Sequence, residues 1–336
     1  MILVTGATGL VGGHLLWHLL QENELVYATR RCQSNVDSLR KIFQFYSHEP
    51  EKYLQRIIWR TADVCNKAEI SDALTGMHTV YHCAAIVSLS DGNEQLVLTN
   101  VRGTAFIVQA AITKKVQQFC FVSSIAACGR AARTDMVDEN SNMEDVKQRS
   151  AYALSKYYAE QEVWSGIAQG LNAVIVNPGV ILGYSGTQTG SAALFNRVRR
   201  GLPFYTLGGS GYVDVQDVVK IMMALVARNI SAERYIVVAQ NCSNKQIIDA
   251  MADGFGKKRP RWCLGKKTLL ALGFAAEMWA MLVGTKPFFD RSLARTASYR
   301  AYYSNHKISY LLHYPFHDIK SCIKQVCDFS NEAPTT

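Results

Sequence analysis

Short apolar runs alternate along the first half of this chain with longer stretches whose apolar positions recur at helical intervals. The runs at 2–4, 25–29, 57–60, 79–83, 119–122 and 173–176 have the length of strands, and most are separated by helical stretches. Repeated strand and helix in this order predict an α/β protein with a doubly wound parallel sheet. Helices are expected over 151–169 and 215–228, and a closing one over 319–329. Beyond Pro178 the pattern becomes irregular and glycine-rich, so the sheet unit is expected to span 1–177, with 212–229 returning to it. A smaller, discontinuous region would then be assembled from 178–211 and 230–330.

The first strand runs straight into chemistry. After Ile2-Leu3-Val4 come Thr5-Gly6-Ala7-Thr8-Gly9-Leu10-Val11-Gly12, and then the apolar helix Leu15-Leu16-Trp17-His18-Leu19-Leu20. Gly6 permits a tight turn, Gly9 lets the backbone approach a pyrophosphate, and Gly12 lets the helix pack close to the sheet. The phosphates would rest on unpaired N–H groups at the helix N-terminus. The alternative for a glycine-spaced turn of this kind is a purely structural one.

About 140 residues later, Tyr152-Ala153-Leu154-Ser155-Lys156 puts a phenol and an ammonium on one helix face. A cation beside a tyrosine favours the phenolate and draws its pKa from about 10 toward neutrality. Such a tyrosine can exchange a proton with a carbonyl or alcohol oxygen. The bland alternative is a solvated tyrosine and lysine. Order along the chain weighs against it, because between the two motifs the run Phe119-Cys120-Phe121-Val122 ends in Ser123-Ser124. Strand ends of that kind are where open α/β sheets place ligands.

With those residues quoted, the chain resembles the extended short-chain dehydrogenase/reductases of the NAD-dependent epimerase/dehydratase family over almost its whole length. Further blocks carry the resemblance: Ala62-Asp63-Val64, Tyr81-His82-Cys83-Ala84-Ala85, Asn100-Val101-Arg102-Gly103-Thr104, Asn177-Pro178-Gly179 and Tyr212-Val213-Asp214-Val215-Gln216-Asp217-Val218. The resemblance implies a Rossmann cofactor domain with a smaller substrate region, and a catalytic group of Ser124, Tyr152 and Lys156. It implies cofactor contacts from Gly6, Thr8, Gly9, Leu10, Val11, Gly12, Arg30, Arg31, Asp63, Val64, Ala84, Ala85, Asn100, Ser123, Pro178, Gly179 and Val180, besides Tyr152 and Lys156. Ser123 is read as support for the strand end. Asp63 has a helix cap as its alternative role, and so does Asn100.

In this family an acid at the end of the second strand selects NAD, whereas arginine there accommodates the extra phosphate of NADP. Here the strand ends Ala28-Thr29-Arg30-Arg31, so NADP(H) is expected, with NAD(H) as the alternative. Ile125-Ala126 stands where sugar dehydratases carry an acidic pair, and no arginine immediately precedes Tyr212-Val213-Asp214, where epimerases usually hold a diphosphate. What remains resembles the dihydroflavonol reductase and 3β-hydroxysteroid dehydrogenase-like branch, including the late Tyr303-Ser304-Asn305-His306-Lys307 segment. The expectation is hydride transfer between the cofactor and a carbonyl or secondary alcohol of a small apolar substrate. Two rival readings stay open: a nucleotide-sugar epimerase or reductase, and a non-enzymatic sensor of the NADP pool.

Composition narrows this only a little. The chain has 336 residues, enough for a full core, and 49% are apolar. Nine cysteines without C-x-x-C pairs point to free thiols in a cytoplasmic enzyme, and no metal site is expected. The formal charge of +9 gathers at Lys257-Lys258-Arg259 with Arg261, at Lys266-Lys267, and at Arg197 with Arg199-Arg200. No nucleic-acid motif accompanies it, so nucleic acid is not an expected partner. The apolar stretch 268–283 falls short of the roughly 20 residues of a membrane span. It also contains Glu277, so it reads as a helix over an apolar pocket rather than as a membrane contact. Phe204, Tyr205, Trp262, Phe274, Met278, Trp279 and Phe288 are candidate pocket residues, and the resemblance implies a homodimer.

Overall fold

Seven parallel strands form the central sheet of the computed structural model, which describes residues 1–87, 94–129, 136–141, 143, 149–187, 189–283, 285 and 291–332. Six are the predicted runs: β1 (Ile2–Thr5), β2 (Val26–Arg30), β3 (Ile57–Thr61), β4 (Thr79–His82), β5 (Gln118–Val122) and β6 (Ala173–Pro178). Three short strands follow, β7 (Val180–Leu182), β8 (Phe204–Thr206) and β9 (Gly209–Asp214). The last three are β10 (Glu233–Val237), β11 (Gln240–Ser243) and β12 (Trp262–Leu264). The main sheet is ordered β10-β6-β5-β4-β1-β2-β3, with smaller sheets β11-β9-β7 and β12-β8 beside it.

The seventh strand corrects the expected boundary. Residues 230–330 were expected to lie wholly outside the sheet unit, yet β10 pairs in parallel with β6 from Glu233↔Val174 to Val237↔Pro178. Its sequence, ERYIV, begins with two charged residues and hides the strand from a search for apolar runs. Charge is tolerated there because β10 is an edge strand.

Alternate residues of the inner strands feed two cores. Leu3, Val80, Phe119, Phe121, Ala173 and Ile175 pack with Ile107, Val108, Ala159 and Val163 on one face. Val4, Tyr81, Cys120, Val122, Val174 and Val176 pack on the other with the helices Leu10–Glu22 and Val215–Ala227. Side chains alternate across a strand, so runs apolar at every position are what a sheet covered on both faces requires. Val218, Val219, Ile221, Met222 and Leu225 of the second of these helices pack against the sheet in that core.

A third core joins the smaller sheets to the closing helix Ile319–Glu332. Ile319, Cys322, Ile323, Val326 and Cys327 meet Ile247, Ile248 and Met251 there. All nine cysteines are free, and Cys120, Cys128, Cys242, Cys322 and Cys327 are buried as ordinary core residues.

Candidate active site

Because all seven strands run in parallel, their C-terminal ends share one edge of the sheet. The chain order reverses between β1 and its neighbour β4, and the glycine turn and Ala84-Ala85 meet at that switch point. Gly6 has φ +67, and a side chain on it would come within 2.6 Å of the Ala84 nitrogen. A side chain on Gly12 would come within 2.3 Å of the Gly6 carbonyl oxygen, and the Gly9 N–H already donates to that oxygen at 3.0 Å. The following helix has Gly9 as its N-cap, with no capping side chain and no acid in its first turn. Its N–H groups therefore face the switch point without competition from a side chain, and the residues fit a dinucleotide pyrophosphate. Thr8, Leu10 and Val11 are half-buried around the same turn.

Arg30, at the tip of β2, lays its guanidinium over Trp59 at 5.3 Å from the ring centroid. Arg31 is exposed, and its backbone N–H donates to the Ser34 hydroxyl at 3.2 Å, shaping a polar turn beside the tip. Asp63 is half-buried and Val64 buried after β3. Asp63 is not the cap of the helix Lys67–Ala73. Asn66 takes that role, and Asp63 accepts from the Cys65 N–H at 2.8 Å. At the other end of the site, the Gly179 N–H donates to the Val237 carbonyl at 3.0 Å, which ties the Pro178-Gly179-Val180 turn to β10.

The structure brings Ser124, Tyr152 and Lys156 together. Ser124 leaves β5 and caps a short helical turn, its hydroxyl accepting from the Ala126 N–H at 3.1 Å. Tyr152 lies in the first turn of the helix Ala151–Ala168, which is capped by Ser150. Burial raises the Tyr152 pKa, and a hydrogen bond from Ser124, which favours the phenolate, partly offsets this. The expected lowering by lysine is thus absent in this state of the site. The physical reason is where Lys156 points: it is buried, donates to the Val122 carbonyl at 2.8 Å, and sits 5.2 Å from the centre of the Phe121 ring. Burial brings the Lys156 pKa down to about 8, against the opposing influence of Cys83 and Glu160.

Asn100 is no helix cap either. It lies in a π turn, Leu98–Arg102, and its side chain accepts from the Ile86 N–H at 2.8 Å and donates to the Ile86 carbonyl at 3.0 Å. It also donates to the Ser155 hydroxyl at 3.0 Å, and Ser155 donates to the Tyr152 carbonyl at 2.8 Å. From Asn100 the chain of bonds runs back to the glycine turn. Thr104 gives its hydroxyl proton to the Asn100 carbonyl at 2.6 Å, so His82 Nε2 must donate to Thr104 across 3.1 Å. His82 Nδ1 then accepts from Thr5 at 2.7 Å. Both ring nitrogens are used by a neutral imidazole, in keeping with a pKa that burial pushes down to about 3.

A second network was not anticipated from the sequence. Glu160 is 1% exposed, and accepts from Ser123 at 2.7 Å, from Asn177 at 2.8 Å and from Arg234 at 3.0 Å. Asn177 also donates to the Ser124 carbonyl at 3.1 Å. The backbone that presents Ser124 is therefore held by β6, by the tyrosine helix and by β10 at once. Glu160 lies four residues beyond Lys156, which lies four beyond Tyr152, so all three share one helix face. That shared face was the available signal. Ser123 serves this network through its bond to Glu160.

The candidate pocket residues behave differently. Tyr205 is half-buried, whereas Phe204, Trp262, Phe274, Met278 and Trp279 are exposed, and Phe288 lies outside the described residues.

Comparison with known proteins identifies the family and the fold. Residues 2–239 match the model of the NAD dependent epimerase/dehydratase family. A Synechocystis protein carrying a provisional dihydroflavonol 4-reductase name is 29% identical over 95% of this chain and 91% of its own length. Sterol demethylase protein B of Methylococcus capsulatus is 30% identical over 77% of this chain and 76% of its own length. The solved structure of the Thermus thermophilus UDP-glucose 4-epimerase complex with NAD superimposes with a TM-score of 0.75. It covers 99% of both chains at 20% identity, a likeness of fold.

Proposed function

This chain belongs to the NAD dependent epimerase/dehydratase family, and from that premise we propose that it reduces a carbonyl, or oxidises a secondary alcohol, on a small apolar substrate. It is an NAD(P)-dependent oxidoreductase, in keeping with that family and with the Synechocystis relative named as a reductase. The observation that carries the proposal is the meeting of Ser124, just beyond the end of β5, with Tyr152 in the first turn of the helix Ala151–Ala168, Lys156 lying buried one helical turn beyond. Gly6, Gly9 and Gly12 would seat the pyrophosphate, and when bound the nicotinamide supplies or accepts the hydride.

Tyr152 gives its proton to the substrate oxygen as negative charge develops there. Ser124 can donate to the same oxygen and hold it in place, since its hydroxyl already sits beside the phenol. As the phenolate forms, Ser124 stabilises it. Two of the three Lys156 N–H donors are not used by Val122 and would serve the ribose hydroxyls. Neutral His82 takes no part in proton transfer and fixes the position of Asn100.

NADP(H) is the proposed preference, supported by the absence of an acid at the end of β2 and by exposed Arg31 beside it. Parallel calorimetric titrations with NADPH and NADH test it, followed by NADPH oxidation across a panel of ketones and aldehydes. Tighter binding of NADPH with turnover on an apolar ketone is expected. Tighter binding of NADH, or reduction of a retained oxidised cofactor by a nucleotide sugar, would replace this reading with the epimerase one.

A further inference from the structure

The helix Lys266–Val283 presents an unusual surface. Its buried residues Leu269, Gly273 and Ala280 form one narrow stripe, directed mainly toward the helix Arg291–Ser298. At 100° per residue, Leu272, Phe274, Met278, Trp279, Met281, Leu282 and Val283 cover about 200° of the opposite side. All seven are exposed, with Trp279 at 69%, Met281 at 76% and Leu282 at 78%. A surface helix ordinarily shows polar residues there. The only charge within the apolar stretch, Glu277, is drawn aside into an ion pair with Arg291 at 2.8 Å.

The segment 254–267 that leads into this face carries basic residues and no acid. Lys266 and Lys267 begin the helix, and Lys257, Lys258 and Arg261 precede it on either side of Pro260, all exposed. Trp262, 70% exposed, lies on the short strand between them. Among the described residues no helix is long and apolar enough to cross a membrane.

We propose that this face is a docking surface for an anionic phospholipid bilayer, the helix lying in the plane of the interface with the basic cluster over the headgroups. An apolar arc, exposed tryptophans and lysines at one end are the chemistry of an interfacial helix, and the charge complementarity selects an anionic surface. The proposal does not depend on the reaction catalysed.

Sedimentation with vesicles of phosphatidylcholine alone, and of phosphatidylcholine with phosphatidylglycerol, tests it on the full chain. Binding to the anionic vesicles is expected, at least about tenfold weaker to the neutral ones and falling with salt. The double variant Met281→Glu, Leu282→Glu should melt as the wild type does and lose vesicle binding by at least about tenfold. Lys266→Gln with Lys267→Gln should weaken binding to anionic vesicles selectively. Wild-type protein left in the supernatant with both vesicle types would overturn the proposal, as would binding untouched by the Met281 and Leu282 changes. A concentration-dependent dimer that the same variant abolishes, without vesicle binding, would assign the face to a second copy and overturn it equally.

Discussion

At Tyr152 and Lys156, burial and function oppose one another. Tyr152→Phe removes only the hydroxyl, so cofactor titration should be nearly unchanged while turnover falls about 100-fold to 10,000-fold. Unchanged turnover would remove Tyr152 from the mechanism. Lys156 has its pKa lowered from 10.5 to about 8, so between those values the unfolded chain binds more protons than the folded one. Stability contributed at this site therefore rises with pH across that window and is least below it, where on the order of 3 kcal/mol is spent burying the charge. Comparing wild type with Lys156→Met cancels the other titrating groups. The wild-type melting temperature should gain several degrees on that of the variant between pH 7 and pH 10. A constant difference would show that Lys156 does not titrate there. That Ser124 and Tyr152 would meet, with Lys156 on the same helix face, was legible because it depends on spacing and strand position. Glu160 was not, since a glutamate on a helix ordinarily means water, and only the convergence of Ser123, Asn177 and Arg234 makes it a buried anion.

Elements hold this site through close approach and through that anion. Gly12→Ala would push a methyl into the Gly6 carbonyl, so the turn or the helix must shift. Cofactor affinity should fall by at least about tenfold, more than global stability suffers, and calorimetric titration beside a thermal melt would separate the two. Glu160→Gln leaves the Arg234 guanidinium, 16% exposed, without its counter-charge between the tyrosine helix and β10. The expected cost is about 3–5 kcal/mol in urea unfolding, and a cost below about 1 kcal/mol would mean that the pair is solvated in practice. Six strands were readable because each presents an apolar run. β10 was not, because its edge position admits Glu233 and Arg234 at its start and leaves too short an apolar run to see.

Across the whole molecule the closing helix fastens the smaller sheets. Its five buried residues complete the third core, and Phe329 meets Phe45 and Tyr184 at ring distances of 5.2 Å and 4.6 Å. A chain ending at Asp318 should bind a hydrophobic dye and lose the cooperative melt of the smaller region, and a wild-type melt would show the helix to be dispensable. The doubly wound architecture was readable from alternation alone. How the later segments fold was not, because short strands such as β8 and β12 exist only through pairing with each other. The hydrogen-bonded line from Thr5 through His82, Thr104, Asn100 and Ser155 to Tyr152 bypasses β2 and the turn after it. On the proposed reading, cofactor choice and acid–base geometry would therefore be separately adjustable: rewriting residues 31–34 would exchange one dinucleotide for the other while the tyrosine stays in register with the glycine turn.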